Sequence, residues 1–256
     1  MNEWVLTGLK TGIKSTRYPS EPENRPGVSP GLPCPGSNDS LSLAEVCPTR
    51  ALFEEKEKIE LDYKRCVHCF RCVRTTDVAP IGWSFGYEWA DSERKAAQNA
   101  TEFTQDIFGR SLHVLVVDAG DCGACLSETA QLSGPYYNTH RLGFFITPTP
   151  RSADVLLVVG PLTEQMRVPL RKAYDAMPAP KRVVAVGVCA LSGGIFGPSF
   201  TASSGVADLL PVDVIVPGCP PPPLAILHAL LVVVQRKPPT QNFASVQREG
   251  APGNER

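Results

Sequence analysis

Cys66, Cys69 and Cys72 fall in the run CVHCFRC, with two residues between successive thiols. Three cysteines at that spacing suit three corners of one 4Fe-4S cluster. The segment around them, residues 34 to 90, holds five of the nine cysteines among turn formers, and its strand-like pieces are as short as Lys58 to Leu61. So few apolar side chains make too small a core, and a metal centre is expected to supply what is missing. In two-cluster ferredoxins the fourth ligand comes from a Cys-Pro of the other repeat, and Cys47-Pro48 stands upstream in VCPTRAL. The upstream repeat has lost its own C-x2-C-x2-C, leaving Cys34, and the downstream repeat has no Cys-Pro after Cys72. Both losses delete the same cluster. The surviving set is Cys47, Cys66, Cys69 and Cys72, with Cys34 expected to be an unliganded thiol. Phe70 after Cys69 excludes the C-x-x-C-H attachment of a c-type haem. His68, between two ligands, is expected to be a donor beside the site or a solvent contact.

The remaining four cysteines follow a different logic. Apolar strand candidates at Val114 to Asp118, Phe144 to Thr147, Val155 to Gly160, Val183 to Cys189 and Val212 to Val216 alternate with helical stretches at Cys125 to Leu132, Val168 to Met177 and Leu224 to Gln235. Continuous Val, Leu and Ile strands between helices indicate a parallel sheet covered on both faces. Cys122 and Cys125 follow the first strand, Cys189 ends the fourth and Cys219 follows the fifth. Strand carboxyl ends line one edge of such a sheet, and ligands bind there. Four thiols almost a hundred residues apart can therefore converge. Four thiolates suit an iron-sulfur cluster or zinc, and the CGAC pair alone suits a thioredoxin-like dithiol. All three readings stand on spacing alone.

The expected fold is thus α/β, with a small one-cluster, ferredoxin-like domain at 34–90 preceding the doubly wound parallel sheet. An extended arm is expected at 1–33, a linker helix at 91–110 with Ala97, Ala100, Phe103 and Ile107 on one face, the α/β domain at 111–236, and a flexible tail at 237–256. With 25 Lys and Arg against 26 Asp and Glu, the net charge of -1 offers no basic footprint, so no nucleic-acid partner is expected. Leu224 to Val234 is far shorter than the roughly 18 apolar residues of a spanning helix. No apolar core of a signal peptide occurs in the first thirty residues. A cytoplasmic chain is expected, tied to a membrane through partners. His113, His140 and His228 are scattered, and His228 is expected to be packed in an apolar helix.

Several runs carry a resemblance: CGACLSE at 122–128, TPRSADVLLVVGPLTEQM, LRKAYDAMPAP, VGVCALSGG and PVDVIVPGCPPPP. They are similar to the small-subunit family of group 4 membrane-bound nickel-iron hydrogenases, which also includes the cluster N2 subunit of respiratory complex I. GLKTGIKSTRYPSEP and the ferredoxin fragment resemble the ferredoxin-like subunit of formate hydrogenlyase complexes, so the chain looks like a fusion of two electron-transfer subunits. The resemblance implies a flavodoxin-like fold for the second domain and a proximal 4Fe-4S cluster on Cys122, Cys125, Cys189 and Cys219. It also implies a nickel-iron large subunit, membrane ion-translocating subunits, a redox donor or acceptor protein, and a peripheral place on the inner membrane. The complex I branch has adjacent cysteines where this chain has Cys122 and Cys125 two residues apart, a departure that favours the hydrogenase branch. Glu128 keeps the family spacing after the second cysteine, which implies a proton relay facing the large subunit; its plainer role is a first-turn helix acid favoured by the dipole. Arg151 matches a family arginine near the cluster, and a surface ion pair is its plainer account.

Three rivals to a hydrogenase electron-transfer subunit remain. They are a quinone-reducing complex I-like partner or a related complex lacking nickel, a thiol-disulfide oxidoreductase, and a zinc-bound structural protein.

Overall fold

In a computed structural model of the chain, every core strand foreseen in residues 111–236 belongs to one six-stranded sheet. The structure describes residues 3–12, 14–23, 31–35, 42–74, 81–84, 86–93, 108–109 and 111–240. In chain order the strands are β1 (Leu32–Cys34), β2 (Leu52–Glu55), β3 (Lys58–Leu61), β4 (Gly82–Ser84), β5 (Asp91–Ser92), β6 (Leu112–Asp118), β7 (Phe144–Ile146), β8 (Val155–Val159), β9 (Arg182–Val186) and β10 (Val214–Val216). The helices are α1 (Glu3–Thr11), α2 (Leu43–Val46), α3 (Arg71–Arg74), α4 (Ala124–Gln131), α5 (Glu164–Ala176), α6 (Val188–Ser192) and α7 (Pro223–Val233).

The sheet order is β5-β10-β9-β8-β6-β7. β6 to β10 are mutually parallel, and β5 adds an antiparallel edge. Renumbered within the domain the parallel order is 2-1-3-4-5, the flavodoxin-like winding, which reverses between β6 and β8. Alternation along the strands sorts the core. Val155, Leu157 and Val159 pack with α7 and with Cys125 of α4, whereas Leu156 and Val158 pack with Leu170 of α5 and Ala190 of α6. Both faces are filled, which is why these strands read as unbroken apolar runs.

Helix α7 explains how the N-terminal part packs on the parallel sheet domain. Each of its residues from Pro223 to Val233 is buried. A helix without a polar face needs cover on all sides, and one side is covered by Tyr18, Leu32, Tyr87, Trp89 and Ala90 from the N-terminal part. His228, the one strongly polar side chain in it, accepts from the Ala90 amide at Nδ1 (3.2 Å) and therefore donates from Nε2 to the Pro238 carbonyl (3.1 Å). The packed role foreseen for it is the observed one. Burial pushes its pKa down from the ordinary 6.5. Because the unfolded chain takes up the proton more readily, its contribution to stability is complete above about pH 6.5 and is lost as pH falls below that value. His228→Leu leaves the Ala90 amide buried without an acceptor, so an unfolding titration at pH 7 is expected to show a loss of about 1–3 kcal/mol. An unchanged midpoint would remove this account of the helix.

Several local expectations are corrected. The arm at 1–33 is not extended throughout, since α1 lies within it. The strand expected to run to Cys189 ends at Val186, and Cys189 sits on α6 after a turn at Gly187. The helix expected from Val168 begins at Glu164 and contains Pro169. Asp91 and Ser92, assigned to a linker helix, form β5; residues 94–107 and 110 of that expected helix lie outside the described residues, as do 241–256 of the tail. Lys237 and Thr240 are not loose: Lys237 pairs with Glu88 at 2.9 Å, and the Thr240 amide donates to the Ala90 carbonyl at 3.0 Å.

The N-terminal part ahead of β5 is built differently. β1 pairs antiparallel with β4, β2 pairs with β3, and the small core beneath is Leu43, Leu52, Ile59 and Ile81, with Cys47 and Cys72 packed against it. Among the described residues no helix is long and apolar enough to cross a membrane.

Candidate metal centres

Two groups of thiols emerge from these elements, and all nine cysteines are free. In the N-terminal part, Cys47 follows α2, Cys66 and Cys69 lie in the loop after β3, and Cys72 lies in α3. Left-handed backbone at His68 (φ 50°) and Phe70 (φ 59°) coils the intervening chain. All four line one cleft, together with His68, Phe70 and Trp83. Burial pushes the Cys66 thiol up to about 12 and Cys72 up to about 11, and the neighbouring cysteines add to both shifts. Cys47 goes the other way. Burial opposes its ionisation, but the amides of Leu52, Thr49 and Ala51 and the Thr49 hydroxyl outweigh it and hold the thiol below its usual value; the Ala51 amide lies 3.2 Å from Sγ.

His68 is buried here between Trp83 and Trp89, edge-on to each at 6.0 Å. Burial pushes its pKa down to about 4, so it is neutral at pH 7. The solvent contact offered for it from sequence is ruled out. Cys34 is not in the cleft lining, and its thiol donates weakly to the Leu32 carbonyl at 3.5 Å.

The second group lies beyond the carboxyl ends of the parallel strands. Cys122 precedes α4, Cys125 is in its first turn, Cys189 is in α6 after β9, and Cys219 stands between β10 and α7. Burial raises the Cys125, Cys189 and Cys219 thiols, and the negative charges of Asp121 and of other members of the set raise them further. Two glycines make room for the sulfurs. A Cβ on Gly187 would sit 2.6 Å from Cys125 Sγ, and one on Gly194 would sit 2.7 Å from Cys189 Sγ. Both have positive φ, a backbone that side chains rarely adopt.

Raised thiols packed together are unfavourable as bare anions, and a bound metal reverses the sign by deprotonating them outright. This donor set fits an iron-sulfur group at each place. A thioredoxin-like dithiol uses one pair alone, whereas Cys125 shares its surroundings with Cys189 and Cys219 as well as Cys122.

Asp121 was missed in the sequence. Its Oδ2 accepts from the Gly123 and Leu126 amides, both at 3.0 Å, and so caps the start of α4. An acid just ahead of an apolar helix was the available signal. Ser192 of α6 was missed too: its hydroxyl donates to the Lys64 carbonyl at 2.6 Å and ties the Cys189 helix to the loop that leads into Cys66. Glu128 is half-buried in the second turn of α4, so the first-turn dipole reading does not apply; burial raises its carboxyl. Arg151 is exposed in the short 3-10 turn Pro150–Ser152.

The family model described as NADH ubiquinone oxidoreductase, 20 Kd subunit, matches residues 122–233. The probable membrane-bound hydrogenase subunit mbhJ of Pyrococcus furiosus is 37% identical over 146 residues, 57% of this chain and 87% of that one. The chain belongs to the NADH ubiquinone oxidoreductase 20 kDa subunit family. This 20 kDa-type chain is 38% identical over 125 residues to formate hydrogenlyase subunit 7 of Escherichia coli, 49% of each chain. It is 47% identical over 107 residues to NAD(P)H-quinone oxidoreductase subunit K 2 of a Cyanothece strain, 41% of each. The small-subunit resemblance read from the sequence is therefore correct, and the chain is a subunit of the hydrogenase and complex I-like class of oxidoreductase complexes. The family match begins at Cys122, so the first thiol group lies outside it.

Proposed function

We propose that this chain is the electron-transfer subunit of a membrane-associated nickel-iron hydrogenase complex, with one 4Fe-4S cluster on Cys47, Cys66, Cys69 and Cys72 and a second on Cys122, Cys125, Cys189 and Cys219. The observation that carries the proposal is the gathering of eight cysteines from separate elements into two groups, one of them at the ligand-binding edge of the sheet. When bound, these groups supply reversible one-electron transfer between a redox protein and a large subunit that interconverts protons and hydrogen. Membrane ion-translocating subunits complete the complex, and this chain sits peripherally on the cytoplasmic side of the inner membrane.

The protein's own side chains have distinct tasks in this reading. The Ala51, Thr49 and Leu52 donors stabilise negative charge on Cys47. Gly187 and Gly194 admit the sulfurs of Cys125 and Cys189 against the backbone. The Ser192 bond to Lys64 holds the two groups in a constant relation. Glu128 keeps a proton on its carboxyl oxygen at higher pH than an exposed acid and passes it toward the large subunit's catalytic centre. Glu128→Gln in the assembled complex is expected to retain iron and lower hydrogen turnover by roughly 10²-fold; turnover equal to wild type sinks the relay.

The proposal is tested by iron and acid-labile sulfide analysis of anaerobically purified protein, with low-temperature EPR after dithionite. About eight of each per chain is expected for two 4Fe-4S clusters. Iron near zero after anaerobic reconstitution overturns it and leaves the dithiol or zinc reading in its place. A second reading, a quinone-reducing complex, is favoured by the similarity to the quinone oxidoreductase subunit. It is decided by whether the neighbouring large subunit carries the two C-x2-C pairs that hold nickel and iron.

A further inference from the structure

The cleft of Cys47, Cys66, Cys69 and Cys72 contains a polar group without a partner among the described residues. His68 is 8% exposed, and both its ring nitrogens are sealed from solvent with no hydrogen bond to any described residue. A buried N–H without an acceptor costs about 1–3 kcal/mol, and native proteins carry few. A neutral imidazole has one N–H to give and one lone pair to receive with. The other sealed and unpartnered nitrogen beside it, Nε1 of Trp89, is a donor and cannot take the His68 proton. The ring cannot swing out to water either, because Trp83 and Trp89 flank it on two sides. What the cleft does offer is sulfur. Four cysteines line it together with His68, and the backbone amide of His68 already donates to Cys66.

We infer that the His68 imidazole donates its hydrogen bond to a sulfur of the iron-sulfur group held by Cys47, Cys66, Cys69 and Cys72, and so acts as a positioning residue that raises the reduction potential of that group. The inference rests on the iron-sulfur reading above. Its direction follows from charge: the reduced group is the more negative, accepts the bond more strongly, and gains more from it. Trp83 and Trp89 hold the ring in place, and Trp89 also belongs to the core around α7. The α/β domain thereby steadies a donor at the other domain's site.

The test is an EPR-monitored redox titration of the full chain, purified anaerobically, with iron and sulfide measured on each sample. His68→Phe keeps a ring between the tryptophans and removes the N–H, whereas His68→Gln keeps a donor. A Cys189→Ser background removes the second signal and identifies the first. In His68→Phe, iron is expected to be retained and the midpoint of the N-terminal signal to fall by about tenfold in equilibrium constant, ~59 mV for one electron. The second signal stays where it is, and His68→Gln lies between His68→Phe and wild type. Wild-type iron with an unmoved midpoint in His68→Phe overturns the inference and leaves the iron-sulfur reading intact; wild-type protein that binds no iron overturns the reading itself. Should His68→Phe lose its iron, wild-type protein labelled with imidazole-¹⁵N histidine decides. Nitrogen hyperfine coupling in the reduced N-terminal signal supports the bond, and its absence overturns it.

Discussion

Cys66→Ser and Cys189→Ser, each made alone, are expected to halve the iron of the protein, from about eight atoms per chain to about four, with unequal consequences for folding. The two sulfurs belong to different groups, so each loss removes one EPR signal and spares the other. The unequal part comes from the size of the core at each place. Residues 42–84 fold over four buried aliphatic side chains, Leu43, Leu52, Ile59 and Ile81, and a unit of that size depends on its metal for stability. Cys189 stands at the rim of a six-stranded sheet whose two faces are filled by separate apolar clusters. Limited proteolysis of Cys66→Ser should therefore cut within residues 42–84, while Cys189→Ser resists as wild type does. Loss of all iron in either single variant would show one interdependent site, and full iron in both would remove these cysteines from the ligand sets.

Gly194→Ala is expected to strip the second group of its iron while Gly197→Ala does not. Both glycines have φ +58, so both substitutions carry the same left-handed strain, on the order of 1–2 kcal/mol. They differ in what a new methyl meets. At Gly197 nothing lies within 4 Å, whereas at Gly194 the methyl would sit 2.7 Å from Cys189 Sγ and 3.2 Å from its Cα. A free thiol can rotate out of the way, but a sulfur bonded to iron cannot. Because the methyl also presses on Cys189 Cα and N at 3.2 and 3.3 Å, metal-free Gly194→Ala should unfold at a somewhat lower denaturant concentration than Gly197→Ala, and the large difference should appear in iron content and in the second EPR signal. Equal iron in the two variants would mean that Cys189 is not held against Gly194 by a bound group.

How much was legible in the sequence varies along the chain. The strands around Val155 and Val183 were legible because a fully buried parallel strand leaves an unbroken apolar run. The ends of those elements were not. The run through Val186 to Cys189 is apolar throughout, and only the backbone turn at Gly187 separates strand from helix. Pro169 obscured the start of α5 because it removes an amide that a helix interior uses. Of the thiol groups, the short-spaced Cys66, Cys69 and Cys72 speak through local chain length, but the company Cys189 and Cys219 keep depends on sheet order, which no local spacing encodes.

Composition and pattern alone determined the α/β class, the parallel sheet and its family, because apolar periodicity and close cysteine spacing are short-range properties of the chain. Only the tertiary structure decided that the N-terminal part caps α7, that Ser192 of the Cys189 helix bonds to Lys64, and that His68 is sealed beside four thiols between Trp83 and Trp89. Each of these joins residues far apart in sequence. An apolar helix must be covered and a buried polar group must be paired, but these requirements do not name the partner; the partner emerges when the two halves of the chain are packed against each other.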